Sequence, residues 1–133
     1  MKKIFVYNVA IFNTDLLVCV GVTINQIKKW IFKNAIKELK NKFRDKKMIE
    51  ELDGLIKDNK GFVYLIGDKK KRFYFLYLTD FTNTWSDMDV LNHEIVHIKQ
   101  AIFENRHTEN ETEFEAYFIE STFRELRKKL NSL

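Results

Sequence analysis

Asp87-Met88-Asp89-Val90-Leu91-Asn92-His93-Glu94-Ile95-Val96-His97-Ile98-Lys99-Gln100 is the stretch on which the reading of this chain turns. Its apolar pattern is helical. On a helix, His93 and His97 lie one turn apart on a single face, about 40° apart around the axis, so both rings can reach one metal ion. Glu94 points about 100° round, close enough to address a water on that metal without ligating it. The chain has three histidines, and two of them are placed here. The spacing predicts a zinc site and, from it, a zinc hydrolase.

Working outward, Ser86 is expected to cap this helix, with Asp87 and Asp89 favouring its first turn and its end near Asn105. Before it, Phe62 to Ile66 and Arg72 to Leu78 read as strands around a hairpin loop that contains Gly67, with a polar connection from Asp80 to Trp85. Thr23-Ile24-Asn25-Gln26 has capping-box spacing and opens a long amphipathic helix from 24 to about 43. A shorter helix covers about 45 to 59, weakened by Gly54 and ended by Gly61. At the N-terminus, residues 4 to 12 and Leu16 to Val22 form a β-hairpin about the turn Asn13-Thr14-Asp15. Downstream, a last helix starts at Asn110 or Thr112 and runs to about Leu130. The expected fold is α+β in one domain over 1–133: hairpin, lysine-rich helices, a second strand pair, the histidine helix and a C-terminal helix.

Composition agrees. Hydrophobic residues make up 45% and charged residues 32% of the 133, as in a soluble globular protein, and the absence of proline favours uninterrupted elements. The single cysteine, Cys19, cannot form an internal disulfide and reads as a small buried hydrophobe. Met1-Lys2-Lys3 before an apolar run imitates a secretory signal, but Asn8, Asn13 and Asp15 interrupt it and no small-residue cleavage site follows. No segment approaches the roughly 20 apolar residues of a membrane span, so a cytoplasmic protein without a membrane partner is expected. The net charge of +4 lies mostly in Lys28 to Lys60 and in Lys69-Lys70-Lys71-Arg72, read as a solvated helix face and a charged hairpin turn. No aromatic-basic motif accompanies these lysines, so a nucleic-acid partner is not expected.

A zinc hydrolase needs three protein ligands and an open fourth position. A third histidine six residues after the second is excluded, because Gln100 and Phe103 stand where that subclass has glycine and histidine. His107 lies in a polar loop and reads as exposed. A carboxylate of the last helix remains, from the segment Glu109-Asn110-Glu111-Thr112-Glu113-Phe114-Glu115-Ala116-Tyr117-Phe118-Ile119-Glu120. The helical wheel places Glu113 on one side with Ala116, Tyr117 and Glu120, and Glu115 between Phe118 and Ile119, leaving both open as ligand. Small Ala116 beside Glu113 would allow close approach to the histidine helix, which favours Glu113; Glu115 competes as ligand or as acceptor from a histidine N–H.

From about Phe73 to Leu126 the chain resembles the small zincin domains of the gluzincin type, especially compact phage and bacterial metallopeptidases. The resemblance rests on an apolar strand, His93-Glu94-x-x-His97, and a Glu four residues before a Tyr that follows Ala, here Glu113, Ala116 and Tyr117. It implies a Zn²⁺ ion held by His93, His97 and Glu113, with Glu94 as the general base that serves a water attacking a peptide carbonyl. Tyr117 and His107 are candidates for the oxyanion donor, Tyr117 reading equally as a core aromatic. Trp30 and Trp85 read as core or rim packing, Trp85 near a cleft mouth. A substrate strand is expected to pair with the strand Arg72 to Leu78 as a sheet edge. Two alternatives stand beside the peptidase: a zinc-binding, non-catalytic phage structural or interaction protein that keeps the fold, and a nucleic-acid-associated domain using the lysine-rich helices.

Overall fold

A computed structural model describes residues 1–35, 37–67, 72–105 and 112–132, with the backbone alone for Ile11, Asn105, Thr112 and Glu113. Strand β1 (Lys3–Val9) pairs antiparallel with β2 (Thr14–Val20), the expected hairpin. A 3-10 turn over Ala10–Phe12 connects them and closes on Asn13, whose φ of 45° is one that Asn tolerates better than most residues. Strands β3 (Gly61–Ile66) and β4 (Phe73–Leu78) form the second antiparallel pair. The two hairpins join through β2 and β4, which run parallel, so the order across the sheet is β1-β2-β4-β3.

This order corrects the expected edge. The strand that follows Arg72 is interior, and the edges are β1 and β3. Burial agrees: Tyr74 to Leu78 are all buried, as befits a strand covered on both faces and paired on both sides.

Alternation along the strands feeds two separate cores. Leu17 and Cys19 of β2, with Phe75 and Tyr77 of β4, face helices α1 (Ile24–Asn34), α2 (Lys37–Lys42) and α3 (Lys46–Asp58). Leu16, Val18 and Val20, with Tyr74, Leu76 and Leu78, face α4 (Trp85–Asn105) and α5 (Thr112–Asn131). The result is a mixed α+β fold with helices on both faces of a four-stranded sheet. Cys19 is fully buried at its centre, and burial pushes its thiol far above the usual range. Among the described residues no helix is long and apolar enough to cross a membrane.

The helical layer over the first face departs from expectation at one point. The single helix from 24 to about 43 is two helices, broken at Ala35 (φ −91°, ψ 166°). The amide of Asn34 donates to the Trp30 carbonyl at 3.0 Å, a local bond that competes with helix continuation. A straight helix of that length would run to about 30 Å, beyond strands of roughly 20 Å, whereas the break returns Leu39 and Phe43 to the same core as Ile27 and Ile31. The capping box at Thr23 and Gln26 is formed, with bonds of 3.2 and 2.9 Å. Asp45 caps α3, accepting from the Lys47 and Met48 backbone N–H groups.

Gly54, inside α3, has nothing within 4 Å of the position a Cβ would take. Gly54→Ala is therefore expected to stabilise the fold by about 1 kcal/mol. Thermal unfolding should show this as a rise of roughly 3–5 °C in Tm. An unchanged or lowered Tm would mean that this glycine serves a purpose other than filling a helical position.

Helix α4 begins two residues earlier than a cap at Ser86 implies, and its cap is Thr84. The Asp87 N–H donates to Thr84 Oγ1 at 3.2 Å, and the Asp87 carboxylate accepts from the Thr82 N–H and hydroxyl, each at 2.6 Å. Those bonds hold the Asp87 carboxyl below the usual Asp range. The chain thus turns from β4 into α4 through a loop pinned at Thr82, Thr84 and Asp87, and α4 returns across the sheet beside β3.

Candidate metal centre

Leu91, Ile95, Ile98 and Ile102 form the buried stripe that seats α4 on the sheet. With that face fixed, His93 and His97 project from the side of the helix that overlooks edge strand β3, and both are exposed. Their Nε2 atoms face each other at 3.0 Å, with ring centroids 4.7 Å apart and planes at 80°. Two nitrogens bound to one tetrahedral zinc at about 2.0–2.1 Å stand about 3.3 Å apart, so the pair needs to open by a few tenths of an ångström to share an ion. The two imidazoles by themselves fit the nitrogen spacing that such an ion would require.

Glu94 is 5% exposed, and its Oε2 is buried without a hydrogen-bond partner. Burial raises its carboxyl pKa above the ordinary Glu value, while the charges of His97 and His93 oppose that rise. The centre thus sets a desolvated carboxyl beside two imidazoles.

These three side chains open on a cleft of about 540 Å³ between α4 and β3. Its strand side is built by Gly61, Val63 and Leu65, and Arg72 lies at its far end. Gly61 sets the approach of helix to strand, since a Cβ there would lie 2.6 Å from Val90 Cγ1. Among the described residues β3 pairs with β4 alone, so its other side faces this space.

No family model, curated protein or solved structure matches this chain.

The third ligand is not found among the described residues: they hold no group of three His, Cys, Asp or Glu side chains able to share an ion. The Glu113 side chain and the whole of His107, Glu109 and Glu111 lie outside the described residues. Glu115 is described, and it is engaged elsewhere. It accepts a charge-assisted hydrogen bond from Lys99, which is 4% exposed and also lies 5.7 Å from the centroid of the Phe103 ring. Lys99 is about 140° round α4 from the midpoint of the two histidines, so this pair sits on the side of α4 away from the cleft. The partner that an apolar-face carboxylate requires is thus a buried lysine, not a histidine N–H.

Ala116 is exposed, so it is not the small contact residue that would bring α5 close to α4. Tyr117 is 60% exposed and does not line the cleft. Trp85 is 81% exposed at the start of α4 and does not line it either, while Trp30 packs half-buried on the opposite core.

Glu115→Ala leaves the Lys99 ammonium buried and unpaired. It is expected to destabilise the fold by about 1–3 kcal/mol, below the range for a fully buried pair because Glu115 keeps partial solvent access. Lys99→Met in the same background should restore much of that loss, measured by urea unfolding. A neutral effect of Glu115→Ala would show that solvent already screens this pair.

Sequence reading missed Arg72 and Gly61. Arg72 closes a run of lysines that marks a charged turn, yet it shares strand parity with Tyr74, Leu76 and Leu78, which face α4. Gly61 was read as a helix stop, and its role in close packing is visible only once Val90 lies over it.

Proposed function

We propose that this chain is a zincin-type zinc hydrolase acting on peptide bonds, with His93, His97 and Glu113 as metal ligands and Glu94 as general base. One observation carries the reading. Two facing imidazole nitrogens, 3.0 Å apart, share a cleft with a buried carboxylate that has no partner. A helix whose role was purely structural would gain nothing from an unsatisfied buried carboxylate, which costs stability unless a ligand completes it.

Zinc in such a set supplies a Lewis acid for the carbonyl and a water acidic enough to ionise near pH 7. The chain's own groups do the rest. Glu94 accepts a proton in the cleft through Oε2 and returns it to the leaving amine. Its burial makes it a stronger base than an exposed carboxylate. The free side of β3 offers backbone N–H and C=O groups to an extended peptide, which is held past His93 and His97 by strand addition.

Metal analysis of the untagged protein tests this. Stoichiometric zinc is expected in the wild type, with loss from His93→Ala, His97→Ala and Glu113→Ala and retention in Glu115→Ala. Wild-type protein without bound metal, or histidine variants that keep it, would overturn the assignment. Metal retained by Glu113→Ala would move the third ligand to another residue.

A further inference from the structure

Among the described residues, the buried side-chain polar atoms that lack a hydrogen-bond partner are Glu94 Oε2 and Arg72 Nε, and both residues line the same cleft. A buried donor and a buried acceptor left open on one cavity describe a ligand by what they lack. The acceptor asks for a donor such as an amide N–H. The donor belongs to a guanidinium, whose Nε–H and neighbouring Nη–H form one of the two edges that grip a carboxylate side-on. Glu104 also lines the cleft, but no Asp or Glu among the described residues forms an ion pair with Arg72.

Position along the cleft adds a distance. Val90 lies over Gly61, while Leu65 and Arg72 line the cleft with Gln100, so α4 runs in the same sense as β3. Arg72 precedes Phe73, the partner of Ile66, and so stands across from Gly67 at the end of β3. At about 3.3 Å per strand residue and 1.5 Å per helix residue, Arg72 lies roughly 9 Å beyond the level of His97. That is the length of two to three residues of extended peptide.

We infer that Arg72 is a specificity-determining residue of this cleft, binding a ligand carboxylate two to three residues along an extended peptide from the point opposite His97. The inference rests on the cleft being a peptide site, as proposed above, but it does not require turnover. The carboxylate is either the peptide's own C-terminus or an Asp or Glu side chain; the guanidinium edge suits both.

Peptide binding to the full-length Glu94→Gln protein, measured by calorimetry, tests this without hydrolysis. The probes are acetyl-Leu-Ala-Leu-Ala with a free carboxylate, the same peptide amidated, and amidated versions with Asp at the first or last position. At least one carboxylate-bearing probe should bind about tenfold or more tightly than the plain amide. Arg72→Gln should erase that preference, and Arg72→Lys, which keeps charge without the fork, should retain part of it. The arm that binds distinguishes a C-terminal from a side-chain carboxylate. Thermal melts of both variants check the fold, and zinc content of the same samples tests the metal assignment separately. Equal binding of all probes, no binding of any, or a preference that survives Arg72→Gln would overturn the inference.

Discussion

Glu94→Gln is expected to keep the metal and to lower peptide hydrolysis by about 10²–10⁴-fold. The substitution preserves the shape of a side chain that is almost fully buried and leaves both imidazoles in place. It removes the one property the proposed mechanism asks of this residue, the capacity to take a proton through Oε2, which has no protein partner to satisfy instead. Zinc content and cleavage should therefore separate in this variant, whereas they fall together in His93→Ala and His97→Ala. Hydrolysis unchanged by the substitution would reject Glu94 as the base. Wild-type protein that holds stoichiometric zinc and cleaves no member of a broad peptide library would assign the centre a binding role without catalysis.

The largest stability effect is expected at Phe103. Its ring is 2% exposed and sits among Phe12, Phe114 and Phe118, with centroid separations of 5.5, 5.6 and 5.4 Å. Phe12 belongs to the turn between β1 and β2, and the other two belong to α5, so one ring ties the N-terminal hairpin, α4 and the C-terminal helix together. Removing it deletes a large apolar volume at a junction of three elements that cannot all collapse inward. Phe103→Ala should cost about 3–5 kcal/mol in urea unfolding, against the 5–15 kcal/mol that small domains typically possess. A loss under about 1 kcal/mol would mean that this aromatic cluster is not close-packed.

The order of elements was readable because each carries a local signal. Thr23 and Gln26 announce α1, the apolar run from Leu16 to Val20 announces a strand, and His93 and His97 share one helical face at their spacing. What escaped the reading depends on neighbours distant in the chain. The break at Ala35 follows from the length of the sheet below it, and the interior place of β4 follows from its parallel pairing with β2, 58 residues upstream. Ser86 and Thr84 are both competent caps, and the side-chain bonds of Asp87 to Thr82 decide between them.

At the centre, the residues of one turn were legible and those from another element were not. Glu115 stands on the apolar side of its helix, as a functional carboxylate could, but Lys99, which neutralises it, lies on a different helix and carries no local mark of burial. Expectations for Glu113 and His107 fall on side chains outside the described residues.

The single thiol, Cys19 near the end of β2, has a practical consequence. Because Cys19 is sealed from solvent and held protonated, alkylating reagents can reach it only when the sheet itself comes apart. Its rate of covalent labelling is then a clock for opening of an interior strand, and added zinc should slow that clock to the extent that the proposed ion binds the closed form alone.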